Sequence, residues 1–138
     1  MKGIWNWLQM AIAAIGGFLG WLMGGWDGFL YALVVFVTID YISGVLAAIV
    51  ERKLSNEVGF KGIAKKVFVF MLVAVGHIID KCIIGEESII RTAIVFFYCS
   101  EEGISIIENA ARIGLPIPQK LKNILEQLKS KGSGEQRA

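Results

Sequence analysis

Residues 28–50 read GFLYALVVFVTIDYISGVLAAIV, with Asp40 as the one charged side chain. A helix needs about 20 predominantly apolar residues to cross a hydrocarbon layer about 30 Å thick, so this stretch predicts a membrane span. In lipid each backbone amide must find its partner inside the segment, and a helix supplies that by itself. Residues 4–25 meet the same test with no charge at all. Residues 63–84 and 89–107 are also apolar, but they carry His77, Asp80, Lys81, Arg91, Glu101 and Glu102. The fold class expected is therefore an all-α membrane protein with four transmembrane helices. Three spans plus an interfacial helix is the open alternative, because 89–99 alone is too short to cross.

Composition agrees. The chain has 138 residues, 55% of them hydrophobic, with a mean hydropathy of +0.61, which is too apolar for an ordinary water-soluble domain. Its 14 Lys and Arg against 12 Asp and Glu leave a net charge of +2, so nothing points to nucleic acid. Lys2 before an apolar run resembles a signal peptide, yet that run continues well past the small residues Ala11 and Ala13, which favours a retained span. Three regions result: a transmembrane region over 1–114, a cytoplasmic amphipathic helix over 115–130 and a disordered tail over 131–138.

Basic residues orient the spans. In the four-span arrangement, Lys2, Arg52, Lys53, Lys61, Lys65, Lys66, Arg112, Lys120, Lys122, Lys129, Lys131 and Arg137 share one side, and only Lys81 and Arg91 fall on the other. Both termini are expected in the cytoplasm. Trp5 and Trp26 lie about 31 Å apart along a helix, which suits two headgroup-level anchors around one bilayer.

Small residues mark where helices meet, because in lipid close backbone approach has to supply the association energy. Gly16, Gly20 and Gly24 form one stripe, and Gly28 is assigned to a turn that needs positive φ. Ser43, Gly44, Ala47 and Ala48 form a second stripe. Whether these stripes pack within or between subunits stays open from sequence.

Ionisable groups at bilayer depth are costly and face a partner or water. Counted from the outer ends, Asp40 and Glu101 both lie about 18 Å deep, with Glu102 beside them. Glu101, Ser105, Glu108 and Arg112 recur at helical spacing and give the fourth segment a polar face. Two readings of Asp40, Glu101, Glu102 and Glu108 stand side by side: they line a hydrated lumen, or they pair with Lys65, Lys66 or Arg112. Nearer the outer face, Asp80 and Arg91 flank the 85–88 turn as a candidate ion pair, with His77 one turn earlier. Leu121, Ile124, Leu125 and Leu128 give the last helix its apolar face, suited to the inner leaflet or to self-association.

One histidine and two dispersed cysteines, Cys82 and Cys99, assemble no nucleophile–base pair, metal triad or disulfide framework. The chain reads as a non-enzyme with no cofactor and no metal. No polar filter sequence suggests a selective channel.

The stretches DYISGVLAAI at 40–49, VGFKGIAKK at 58–66 and GISIIENAARIGLPIPQKLKNILEQL at 103–128 resemble the phage lysis and toxin-secretion holins of Gram-positive bacteria and their phages. The resemblance covers about 35–129 and leaves out the glycine-rich first span. It rests on Asp40, Ser43, Gly44, Gly59, Gly62, Lys65, Lys66, Gly103, Glu108, Asn109, Gly114, Pro116 and Pro118, none of them catalytic in that family. One departure is Glu101-Glu102-Gly103, where an Asn-Glu-Gly is expected. The resemblance implies a homo-oligomer in the bacterial cytoplasmic membrane that opens a non-selective pore. Through it a cell-wall hydrolase or a large toxin leaves, a functional partner rather than a bound one. A regulatory or scaffolding membrane protein, such as an antiholin, is the alternative.

Overall fold

The computed structural model describes residues 1–124 apart from Glu86, together with Gln127; Leu125, Leu128 and the 131–138 tail lie outside the described residues. Four long helices follow one another: α1 (Lys2–Leu22), α2 (Gly28–Val50), α3 (Asn56–Ile79), which runs on into a π-helical turn over Asp80–Ile84, and α4 (Ile89–Ile113). The described residues contain no strand.

Local chemistry sets the breaks. Gly24 and Gly25 adopt φ of +97° and +104°, values that strain any residue with a Cβ, and they stop α1 at Leu22. Gly24 thus belongs to the turn rather than to a helical stripe. Gly28, expected in the turn, instead opens α2, because Asp27 caps that helix by accepting the Leu30 amide at 2.9 Å. At the far end of α2, Arg52 sits at φ +59°. Gly114 closes α4 in the left-handed region, and the Leu115 amide reaches back to Ala110. Pro116 and Pro118 then separate α4 from helical backbone over 119–124, whose Leu121 and Ile124 line a groove with Phe36, Phe96 and Ile107.

Helices α2, α3 and α4 form a bundle in which α4 is central, packing broadly on α2 and along α3. Leu30, Leu33, Val73 and Val95 are fully buried between them, next to Met23, Val37 and Val69. Gly76 lets α3 come close to α4, since a Cβ there would lie 2.7 Å from the Ile94 side chain. By contrast α1 buries a single residue, Gly20.

That corrects the first stripe. Gly20 is covered by the ring of Trp26, whose indole N–H donates to the Gly16 carbonyl at 3.1 Å. Among the described residues, nothing comes within 4 Å of the space a Gly16 Cβ would fill. The turn at Gly24 and Gly25 folds Trp26 back over α1, so this surface does not pack on α2. The second stripe is different, with Ala47 and Ala48 buried in the bundle and Gly44 facing the Asn109 amide.

Among the described residues, two helical stretches, Gly28–Val50 and Gly59–Ile84, are long and apolar enough to cross a membrane, with mean hydropathy of 2.3 and 2.2. Only 28% of each apolar window is buried in the bundle. A soluble core helix would hide far more of such a surface.

Candidate functional site

The bundle puts charge inside and oil outside. Asp40, Asp80, Arg91, Glu102 and Asn109 are all buried, while large apolar side chains such as Trp7, Phe60, Phe68 and Phe96 are exposed. Buried charges are tolerated when paired and hydrogen-bonded, and two clusters achieve this.

The first cluster fastens the α1–α2 turn to α4. The Arg91 guanidinium donates to the Asp27 carboxylate at 2.7 and 3.1 Å, to the Met23 carbonyl at 2.5 Å and to the Gly25 carbonyl at 3.1 Å. Such a fork suits Arg and is denied to Lys. The Arg91 hydrogen bond also holds the Asp27 carboxyl below its ordinary range. The expected Asp80–Arg91 ion pair is therefore corrected, because Arg91 pairs with Asp27. Asp80 instead accepts the backbone amides of Ile90 and Arg91 at 2.9 and 2.8 Å, and so caps the start of α4 from the preceding π turn. His77 lies beside the same turn, its ring against Gly24.

The second cluster joins all three bundle helices. Lys66 of α3 bonds to Asp40 of α2 and, at 2.6 Å, to Glu102 of α4. Asn109 donates to the Asp40 carboxylate at 3.0 Å and to the Ser43 hydroxyl at 3.0 Å. Arg112 donates to the Asn109 side-chain oxygen at 3.1 Å and to Glu51 at 2.7 Å. This last bond holds the Glu51 carboxyl below its ordinary range and raises Arg112.

Of the expected intramembrane carboxylates, Asp40 and Glu102 meet, and their shared cation is Lys66. Glu101 is exposed on the outside of α4, and Glu108 is half-buried. The polar face turned towards the bundle is thus Glu102, Ser105 and Asn109, continued by the exposed Arg112; it keeps Ser105 and Arg112 of the expected face and replaces Glu101 and Glu108 by their next neighbours. A spacing of three, four and three is as regular as the one chosen, so that periodicity was available in the sequence. Lys66, one of the three cations expected to pair with these carboxylates, reaches into the bundle because a lysine can extend its ammonium well away from its Cα.

Beneath this cluster lies a cavity of ≈ 380 Å³ bordered by Asp40, Gly44, Gly59, Lys65, Asn109 and Arg112 among others. The three stretches that carry the resemblance, distant in sequence, converge on it. Cys82 is exposed and Cys99 half-buried, both as free thiols.

Comparison with known proteins gives a consistent picture. Residues 17–130 match the family model described as the bacteriophage holin family, which extends the likeness into the second half of α1. An uncharacterised 14.9 kDa protein of the nagH 3′ region of Clostridium perfringens is 37% identical over 95% of this chain and 99% of its own. An uncharacterised protein of Listeria innocua is 42% identical over 94% of this chain and 91% of its own. A further uncharacterised protein, from Bacillus subtilis, is 31% identical over 94% and 92%. No solved structure matches.

Proposed function

The chain belongs to the bacteriophage holin family, which is not an enzyme family, and we propose that it acts as a holin. In this reading subunits collect in the bacterial cytoplasmic membrane, oligomerise and open a non-selective lesion through which a cell-wall hydrolase or toxin passes. All four helices cross, with both termini cytoplasmic, in accord with the one-sided distribution of twelve basic residues.

The observation that carries the proposal is the inverted bundle. Its charges are satisfied inside, its surface is apolar, and α1 offers a nearly unpacked helix with an open Gly16 face. A single subunit holds Asp40 and Glu102 closed on Lys66, so any lumen belongs to the assembly, where the exposed Glu101 is the carboxylate free to face it.

Induced expression in a bacterium, with membrane potential and release of a cytoplasmic reporter followed in time, tests this. Abrupt depolarisation together with reporter release is expected; sustained growth with intact potential would refute it. An antiholin would instead delay another protein's lesions while making none alone.

A further inference from the structure

We propose that the cleft between α2 and α3, at the end of the bundle next to the 51–55 loop, binds the phosphate of an anionic phospholipid headgroup. The chemistry recognised is a phosphate ester, and the source assigned is the lipid. This rests on that end lying at headgroup depth and not on pore formation.

The cleft exists because α2 and α3 scarcely touch. Tyr41 acts as the spacer, its ring facing Gly59 and Gly62, where added Cβ atoms would stand 3.7 and 3.6 Å from it. With glycines at 59 and 62 on the face of α3 opposite Tyr41, a cavity of ≈ 380 Å³ stays open between the helices. Three cations line it, Lys65, Lys66 and Arg112, against one carboxylate, Asp40.

These cations differ in what they have left to give. Lys66 is committed to Asp40 and Glu102, and Arg112 uses Nε and one terminal nitrogen on Glu51 and Asn109. The second terminal nitrogen of Arg112, the Lys65 ammonium and the Tyr41 hydroxyl have no hydrogen-bond partner among the described residues. Asp40, the one carboxylate lining the cavity, is covered by Lys66 and Asn109, and the carboxylates behind the lining, Glu102 and Glu51, are held by Lys66 and Arg112. An arriving phosphate therefore meets open donors and a compensated carboxylate, the setting in which basic pockets between membrane helices take lipid headgroups.

The choice of a lipid over a dissolved anion follows from the walls. Leu54, Val45 and Ala48 give the cavity an apolar side. The outward faces of the flanking helices present Ile42, Leu46, Phe60 and Ile63, all exposed, along which acyl chains can lie while the phosphate enters.

The test uses the full-length protein in neutral detergent, with retained lipid counted by native mass spectrometry. The probes are phosphatidylglycerol, phosphatidylcholine and inorganic phosphate. Phosphatidylglycerol should be retained and phosphatidylcholine not. Lys65→Gln should weaken retention about fivefold, the factor one basic residue supplies near an anionic lipid. Gly62→Leu, which fills the cleft without changing charge, should weaken it as much while the circular dichroism spectrum stays helical. Lys122→Gln, outside the cleft, should behave as wild type. Equal retention of both lipids, wild-type retention by Lys65→Gln, or an equal loss in Lys122→Gln would overturn the proposal. So would saturation by inorganic phosphate with no further binding of phosphatidylglycerol. None of these readings depends on lesion formation, so a failed permeabilisation assay and a failed binding assay stay distinct.

Discussion

Replacing Lys66 by Met removes the one cation shared by two buried carboxylates. Lys66 makes a 2.6 Å bond to Glu102 and a second to Asp40, and the two carboxylate side chains are 8% and 6% exposed. A charge-assisted hydrogen bond contributes about 1.5–3 kcal/mol, and removing one side of a buried pair costs about 3–5 kcal/mol. Asp40 keeps its bond from Asn109, so a loss of about 4 kcal/mol is expected, about a thousandfold in the folding equilibrium. The measurement is the unfolding midpoint in mixed micelles titrated with SDS and followed by far-ultraviolet circular dichroism. The informative partner is the triple variant Lys66→Met, Asp40→Asn, Glu102→Gln. It leaves no unpaired charge inside the bundle and should recover most of the loss, because the penalty belongs to the stranded carboxylates rather than to the missing lysine. A loss below about 1 kcal/mol in the single variant, or a triple variant as unstable as the single, would refute this account of the core.

Arg91→Lys should lower the same midpoint by about 2 kcal/mol, since an ammonium cannot reproduce the fork to Asp27 and two carbonyls; an unchanged midpoint would count against the clamp. Asp27 also makes the clamp pH-dependent. Its folded pKa lies below the ordinary 3.8, so the stabilisation is present above that value and disappears as pH falls through the lower folded value. Asp27→Asn should abolish this acid sensitivity, an effect below about 1 kcal/mol because the side chain is 45% exposed. Arg52→Gly should stabilise by about 1 kcal/mol, relieving φ +59° in a residue with a Cβ, and a lowered midpoint would contradict it. A Cβ at Gly16 meets none of the described residues of its own chain, so for Gly16→Leu a several-fold weaker crosslinking ladder with unchanged helicity would implicate packing between subunits, and an unaltered ladder would remove the stripe from that role.

The bracketing of Trp5 and Trp26 around one helix shows where linear reading stops. Their sequence separation is fixed, but Trp26 folds back towards Gly16 once Gly24 and Gly25 turn the chain. A similar limit applies at 101–102. Adjacent helical residues point about 100° apart, so placing Glu101 and Glu108 on the polar face in place of Glu102 and Asn109 turns half of that face away from the bundle. Only the packing of α4 on α2 and α3 selects Glu102.

What the sequence determined alone is the helical character, the apolar stretches, and the breaks between the first two stretches, at 85–88 and near Gly114. All of these follow from local rules of backbone geometry and hydration that need no distant partner. What only the tertiary structure decided is who meets whom. Arg91 finds Asp27 across 64 positions, Lys66 finds Glu102 across 36, and α1 is left outside the bundle. Such pairings depend on the rotation and offset of one helix against another. Those are set by the summed fit of whole faces, and no single residue or spacing encodes them.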